Sequence, residues 1–169
     1  PIDLRYIRQI NQEVGNGIVT DAGELRRSSV SIGGTSWKPD IPDYNKAESD
    51  VRAIMEAGTS TTDKAITLML YLMRSQLFYD GNKRTAQIVA NQVMIQGGAG
   101  ILAIPVEKQP EFFSLLVGYY ETADMATIKD FLYRTSIDGF TKQHTEQPPI
   151  NKAMFSNMVD IINGKGETE

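Results

Sequence analysis

Gln-Leu-Phe-Tyr-Asp-Gly-Asn-Lys-Arg-Thr-Ala-Gln, residues 76–87, is the stretch that decides the fold of this chain. Asp80 and Gly81 interrupt two helical patterns, and Asn82 is a residue type suited to cap the start of the second helix. A helix start presents unpaired backbone N–H groups and the positive end of the helix dipole. Gly81 removes a side chain where an anion would approach the backbone. These residues predict a turn that can bind a phosphate group.

The charges beside this turn favour the same interpretation. Lys83 and Arg84 fall in the first turn of the second helix, where cations are unfavourable for the helix itself and a bound anion would justify them. Asp80 supplies a carboxylate, an oxygen ligand of the kind that Mg²⁺ prefers. An Asp-Gly-Asn turn between two helices can also be a plain turn, and Phe78 beneath it is expected to be a core residue.

The segments on both sides of residues 76–87 predict a mainly helical chain. Ser60 followed by Asp63 is a capping-box pattern, and the apolar run after it, residues 65–77, predicts a central buried helix. Residues 101–106 are expected to be extended and 138–149 to form a polar loop. Helical periodicity and helix stop signals predict helices over 4–14, 45–57, 65–77, 82–95, 110–121, 126–136 and 151–162.

One β element is predicted, near the start of the chain. Residues 29–32 and 35–37 are β-prone and flank the pair Gly33-Gly34, which is typical of a hairpin turn. The expected architecture is therefore a single all-α domain over residues 1–169, with a small β-hairpin at about 29–38. The charged tail at 163–169 is expected to be frayed.

Composition excludes several kinds of site within this sequence. There is no cysteine, so disulfides, thiolate zinc sites and cysteine nucleophiles are excluded, and a single histidine, His144, excludes a multi-histidine metal site. The net charge of −4 argues against a protein that works on bulk nucleic acid or on an anionic membrane surface. No apolar run reaches the ~20 residues of a membrane helix, and no basic-then-apolar leader opens the sequence. We expect a cytoplasmic protein.

The stretch at 76–87 resembles the active-site motif of the Fic family, His-x-Phe-x-Asp/Glu-Gly-Asn-Gly/Lys-Arg-x-x-Arg/Asn. The matching residues stand at the motif's spacing and continue into Thr85-Ala86, which is common in Fic and Doc sequences. The hairpin at 29–38 resembles the family's flap, and Gly15, Gly17, Gly23 and Arg26 resemble the segment before it; the likeness covers roughly residues 1–135. Residues that match the motif itself are Phe78, Asp80, Gly81, Asn82, Lys83 and Arg84.

This resemblance implies a fold and an activity. A bacterial-type Fic domain transfers AMP from ATP to a protein hydroxyl, and diphosphate leaves. By the resemblance, Asp80 would hold Mg²⁺, Gly81 and Asn82 would bind the nucleotide phosphates with Lys83 beside them, and Arg84 would pair with the β- or γ-phosphate. The flap residues Ile32, Gly33, Gly34 and Thr35 would dock an unknown protein target by strand addition.

The sequence departs from the Fic motif at two positions. The family's catalytic histidine is the general base, and here its position holds Gln76, whose amide does not titrate near neutrality. Ser75 is no better as a base, and His144 lies far along the chain. Gln87 stands where many active members carry a second arginine; it can still donate a hydrogen bond to a phosphate, but it brings no charge.

Several functions stay open on these residues. The first is a Fic-type protein adenylyltransferase that acts slowly or with a different base. The second is a degenerate Fic domain that keeps nucleotide or partner binding without chemistry. Lys83 is also the residue of the toxin Doc, which transfers a phosphoryl group, so a Doc-like phosphotransferase is a further alternative. A helical interaction domain in which residues 76–87 are merely structural is the last.

Overall fold

The computed structural model describes residues 1–139, which form a helical fold with one very small sheet. The described part contains six α-helices and two short strands. They are α1 (Leu4–Gly15), α2 (Tyr44–Glu56), α3 (Thr61–Ser75), α4 (Asn82–Gln96), β1 (Ile101–Leu102), α5 (Gln109–Thr122), α6 (Ala126–Thr135) and β2 (Ile137–Asp138). The all-α prediction with a small β element is confirmed, whereas the predicted helix at 151–162, His144 and the tail at 163–169 lie outside the described residues.

The core is built around α3, as the apolar run in the sequence predicts. Ser60 caps this helix by accepting a hydrogen bond from the backbone N–H of Asp63 at 3.1 Å. The face of α4 that carries Val89 and Met94 packs along α3, and α1, α2, α5 and α6 complete the shell around the pair. Within α3 the buried apolar residues are Ala65, Ile66, Leu68, Met69, Leu70, Leu72 and Met73. Residues 76–81 therefore connect the two most closely packed helices of the domain.

The small sheet is not the hairpin that the sequence predicts at 29–38. It joins β1 to β2 in an antiparallel pair, with Ile101 opposite Asp138 and Leu102 opposite Ile137. Asn91 in α4 completes β1, because its side chain exchanges two hydrogen bonds with the backbone of Leu102, at 2.8 and 2.9 Å. The extended prediction for 101–106 is thus correct at its start. The partner strand lies where the predicted helix at 126–136 has ended and the predicted polar loop at 138–149 begins.

Residues 29–38 form an extended loop with a turn at Gly33-Gly34 and without a strand ladder. Two-stranded hairpins are marginal alone, and tertiary contacts take their place in this loop. Trp37 stacks on Tyr120 of α5 with ring centroids 5.8 Å apart, and Ile32 is half-buried against the core. The prediction of a paired hairpin is therefore wrong, although the position of its turn is correct.

None of the helices within residues 1–139 combines the length and the apolar character needed to cross a bilayer. The longest helices, α3 and α4, use their apolar faces to bury each other.

A glycine next to the sheet generates a stability prediction. Gly100 has a φ of +77°, and a Cβ built on it would overlap the carbonyl oxygen of Asp138. We expect Gly100→Ala to lower the free energy of unfolding by about 1–3 kcal/mol, because the left-handed backbone is strained and β2 must move. Urea unfolding followed by circular dichroism measures the change.

The matched control is Gly118→Ala in the middle of α5. A Cβ at Gly118 meets no atom within 4 Å, so this change should raise stability by up to about 1 kcal/mol through helix propensity. Equal unfolding midpoints for the two variants would contradict the steric explanation for Gly100.

Candidate active site

The candidate site is a pocket of about 190 Å³ at the junction of α3 and α4. It is lined by Gln76, Tyr79, Asp80, Gly81, Asn82, Lys83 and Arg84. The structure thus brings together most of the site residues that the sequence predicts. Gln87 does not belong to the pocket lining; it is exposed on α4 one turn beyond Arg84. Phe78 is buried beneath the pocket, as expected.

Gly81 begins α4, and Asn82 does not cap it as predicted. Gly81 occupies the cap position with φ +77° and ψ 3°, and no side chain caps the helix start. The first backbone N–H groups of α4 therefore have no side-chain acceptor and face the side of the pocket, where the helix dipole is positive. Glycine at position 81 is also favoured sterically, because a Cβ there would lie 2.9 Å from Val14 Cγ1 and 3.1 Å from Asn11 Nδ2.

The Asn82 side chain folds back and stabilises the loop between the helices. Its Oδ1 accepts a hydrogen bond from the backbone N–H of Phe78 at 3.0 Å, and its Nδ2 donates to the Phe78 carbonyl at 2.7 Å. The same Nδ2 donates to Gln76 Oε1 at 3.2 Å. The correction follows from these contacts: Asn82 is buried and holds the loop shape, so the backbone rather than its side chain defines the helix start.

Gln76 ends α3 in the left-handed conformation, with φ 45° and ψ 56°. Its Nε2 donates to the carbonyl of Met73 at 2.6 Å, while its Oε1 accepts from Asn82. Both ends of the amide are therefore engaged in hydrogen bonds within the loop. The side chain at the position of the family's histidine acts here as a structural tie.

Asp80 and Arg84 form the charged rim of the pocket. They lie one helical turn apart, with 3.7 Å between Arg84 Nη2 and Asp80 Oδ2, and both side chains are about half exposed, 53% and 55%. Asp80 Oδ1 accepts a hydrogen bond from the backbone N–H of Gly81 at 2.5 Å. An exposed ion pair of this length is weak, so both groups can rearrange around a ligand. Lys83 lines the pocket beside them and is exposed.

Sequence reasoning does not predict that the side chains of Asn11 and Arg26 are buried and hold this loop. Asn11 in α1 is 2% exposed; its Nδ2 donates to the Asp80 carbonyl at 2.9 Å and to Thr85 Oγ1 at 3.1 Å, and its Oδ1 accepts from the Gly23 N–H at 2.9 Å. Asn11 lies on the buried face of an otherwise amphipathic helix. A polar residue at such a position is the signal that could have identified it.

Arg26 is the second buried tie and is 1% exposed. Its guanidinium donates only to backbone carbonyls, at Gln76 (2.6 Å), Ser28 (2.8 Å), Pro39 (3.4 Å) and Asp40. Burial lowers the pKa of Arg26, while the nearby acidic groups of Tyr79 and Asp40 act in the opposite direction. Arg26 thereby links the loop at 28–40 to the end of α3.

Two tyrosines adjoin Gln76 and differ in what they can do. The Tyr79 hydroxyl accepts from the Arg27 N–H at 3.0 Å and lies 3.2 Å from Ser28 Oγ; hydrogen bonding to Ser28 is the main cause that lowers the Tyr79 pKa. Burial raises the pKa of Tyr120 to about 12, although the neighbouring Gln76 side chain acts in the opposite direction; within the described residues no partner lies at hydrogen-bond geometry to the Tyr120 hydroxyl. Tyr120 is therefore neutral near pH 7 and cannot replace the missing base.

The predicted flap residues lie apart from the motif pocket. Ile32, Gly33, Gly34 and Thr35 are absent from its lining. The Thr35 hydroxyl donates to Glu121 Oε1 at 2.9 Å and accepts from the Trp37 N–H at 3.1 Å, so the turn is fastened to α5.

Asn11 generates the prediction for this site. We expect Asn11→Ala to lower the free energy of unfolding by about 2–4 kcal/mol, because the Asp80 carbonyl and the Gly23 N–H lose a buried partner. Chemical denaturation measures the loss. Gln12→Ala, on the exposed side of the same helix, is the control and should change stability by less than about 0.5 kcal/mol; a loss as large as that of Asn11→Ala would show a helix effect instead.

Comparisons with known proteins agree with this geometry. Two curated relatives are the protein adenylyltransferases fic-1 of Caenorhabditis briggsae, 26% identical over 97% of this chain and 32% of the relative, and of Caenorhabditis elegans, 27% identical over 78% and 26%. The chain spans about a third or less of the length of these relatives.

Two solved structures share the fold. Fic-1 (residues 134–508) of C. elegans superposes with a TM-score of 0.67 and 19% identity, covering 98% of this chain and 45% of that one. The BepC protein of Bartonella tribocorum, solved with bound AMPPNP, superposes with a TM-score of 0.62 and 14% identity, covering 79% and 74%. The profile of the Fic/DOC family matches residues 1–94, more than half of the 169 residues. The chain therefore belongs to the Fic/DOC family.

Proposed function

We propose that this Fic domain binds Mg-ATP in the motif pocket and transfers AMP to a protein hydroxyl at a rate limited by the absence of a general base. The observation that carries the proposal is the pocket itself. An uncapped helix start, two exposed cations in its first turn and one carboxylate at its rim converge on a single concave surface. The adenylyltransferase names of the two nematode relatives and the AMPPNP of the BepC structure support the choice of ATP.

The phosphates would bind at the N-terminus of α4. Backbone N–H groups at a helix start are a general anion site, and the loop that presents them is held by Asn11 and Asn82. Lys83 and Arg84 add charge from the first turn of the helix. Arg84 would exchange its weak pair with Asp80 for a charge-assisted contact with a phosphate oxygen.

Asp80 is the residue that would hold Mg²⁺. Within residues 1–139 no cluster of three or more metal-ligating side chains occurs. The donor set still fits, because Mg²⁺ is commonly bound through one or two carboxylates together with substrate phosphates and water. The half-exposed Asp80 carboxylate provides one such ligand. When bound, the ion would neutralise phosphate charge and orient the leaving diphosphate.

The target hydroxyl would approach from the loop at 29–38. Backbone groups of residues 29–37 make no backbone–backbone hydrogen bond with the described part of the chain, so they can pair with an added strand. The four residues at the turn, 32–35, are those proposed to dock it. Thr35 is held by Glu121, which keeps the turn in place for a partner.

Gln76 does not provide the proton acceptor that AMP transfer needs. The attacking hydroxyl forms a bond to the α-phosphorus, the bond to diphosphate breaks, and the hydroxyl proton needs an acceptor. The Gln76 amide is not a base near neutrality and its two ends are already bonded to Met73 and Asn82. Loss of a general base costs about 10²- to 10⁴-fold in rate.

The engagement of the Gln76 amide favours a second candidate function. If position 76 serves only to shape the loop, the domain is a nucleotide-binding or protein-binding module without transfer activity. Because Doc also has lysine at the position of Lys83, Doc-like phosphoryl transfer is a further reaction to test. Labels on the α- and γ-phosphate of ATP distinguish AMP transfer from phosphoryl transfer.

The first functional prediction concerns nucleotide binding. Arg84→Ala should weaken Mg²⁺-dependent ATP binding by roughly tenfold or more, because a charge-assisted contact is worth ~1.5–3 kcal/mol. Isothermal titration calorimetry of the full chain measures the affinity.

Arg134→Ala is a matched control for Arg84→Ala. Arg134 is likewise an exposed arginine with an aspartate partner one turn away, Asp130, but it lies on α6 outside the pocket. Its removal should leave ATP affinity unchanged. Equal affinities for Arg84→Ala and the parent would refute the assignment of the motif pocket as the phosphate site.

The second functional prediction restores the base. A neutral imidazole can donate to the Met73 carbonyl as Gln76 Nε2 does, and Asn82 Nδ2 keeps its bond to the Phe78 carbonyl, so Gln76→His should preserve the loop and leave the other ring nitrogen free to accept a proton. Incorporation of α-phosphate label into the protein or a lysate target should rise by about 10²-fold or more. The rate should increase as pH rises through ~6.5, because the imidazole must be neutral to accept a proton.

Two further variants make the result decisive. Gln76→Asn keeps an amide and should stay at the parent's rate. Gln76→His combined with Arg84→Ala should lose most of the gain, since nucleotide binding is weakened. If Gln76→His folds and binds ATP yet labels nothing, the adenylyltransferase function is excluded and the binding module is supported.

A further inference from the structure

A second pocket, of about 260 Å³, also borders the end of α3. Its walls come from the loop after Trp37, from α2 and from α3, and it shares no lining residue with the motif pocket. Pro42, Leu77 and Tyr119 contribute apolar surface, while Arg74 and Asp50 contribute charge. The proposed function uses none of these side chains.

Arg74 brings an uncompensated positive charge to this pocket. Its Nε donates to the Tyr120 carbonyl at 3.2 Å, and its guanidinium carbon lies 4.3 Å from the Trp37 ring centroid and 5.9 Å from that of Tyr119. Among residues 1–139 no carboxylate lies within 4.0 Å of it. The stacked, half-buried guanidinium therefore keeps two terminal nitrogens available for a bidentate anion.

Three aspartates also line this pocket. Asp50 is already paired, with Lys46 Nζ at 2.8 Å and with the Tyr71 hydroxyl at 3.1 Å, and Asp43 caps α2. The Asp40 carboxylate forms neither a hydrogen bond nor an ion pair with any residue in the described range. The lining holds three aspartates and two cations; with Lys46 paired to Asp50, Arg74 is left with Asp40 and Asp43, and the net charge of the lining is −1.

We propose that this pocket binds an α-amino acid with an apolar side chain. The carboxylate pairs with Arg74, the ammonium group pairs with Asp40, and the side chain contacts the apolar wall of Pro42 and Leu77. A zwitterion offers a carboxylate to the guanidinium of Arg74 and an ammonium group to the carboxylate of Asp40, which are both unpaired among residues 1–139. A phosphate, with more than one negative charge, is disfavoured by the three neighbouring aspartates. The volume suits a molecule of this size and is below that of drug-sized ligands.

Trp37 is the only tryptophan in the sequence, so its fluorescence reports on this pocket specifically. Titration of the full chain with L-leucine should give a saturable fluorescence change with a Kd on the order of 1 mM or below. L-Leucinamide lacks the carboxylate and N-acetyl-L-leucine lacks the ammonium group. Each should bind at least tenfold more weakly than L-leucine.

Variants test the two charged ends by calorimetry, which does not depend on Trp37. Arg74→Gln and Asp40→Asn should each weaken L-leucine binding by tenfold or more, and Arg134→Gln, on α6, should not change it. Asp40 is exposed, so Asp40→Asn should leave the fold intact and also guards against misfolding caused by Arg74→Gln. Absence of L-leucine binding, equal binding of the three compounds, or insensitivity to both variants would each overturn the proposal.

Discussion

The buried guanidinium of Arg26 is the contact on which the arrangement of this domain's working parts depends. It donates to carbonyls on both sides of the loop that spans residues 28–40, and to the carbonyl of Gln76 at the end of α3. The loop has no strand ladder of its own, so its path is defined by this side chain. A planar group with five donors in a fixed fork can serve several carbonyls at once, whereas an ammonium group cannot match that geometry.

Arg26, Asn11 and Asn82 are buried polar side chains that hydrogen-bond the backbone of the turn between α3 and α4. The turn between α3 and α4 must expose backbone N–H groups at the pocket while its own remaining polar groups are buried and need partners. Asn82 satisfies the Phe78 peptide from within the turn, and Asn11 satisfies the Asp80 carbonyl from α1. The phosphate loop is therefore shaped before any ligand arrives. Pre-organisation of this kind reduces the entropy lost on binding.

The helices and the motif pocket were predictable from the sequence because their signals are local. Apolar periodicity and the Ser60 cap identify α3, and the contiguous string at 76–87 identifies the pocket. Contacts between distant segments were not predictable in this way. Asn11 and Arg26 bind residues that lie 69 and 50 positions away along the chain. The β-prone run that ends at Trp37 packs against Tyr120 through the Trp37 ring instead of pairing with residues 29–32. β-Propensity alone does not determine which partner a short extended segment finds.

Position 76 shows how a Fic domain can keep its fold while its chemistry is put in question. The left-handed backbone there costs on the order of 1–2 kcal/mol for a residue other than glycine. Hydrogen bonds from Gln76 Nε2 to Met73 and from Asn82 Nδ2 to Gln76 Oε1 help to offset that cost. A neutral histidine could make the same donation to the Met73 carbonyl with one ring nitrogen and keep the other free, so the loop accommodates an amide or an imidazole. The two side chains differ in their ability to accept the proton of the attacking hydroxyl. The fold itself therefore does not require a base at position 76.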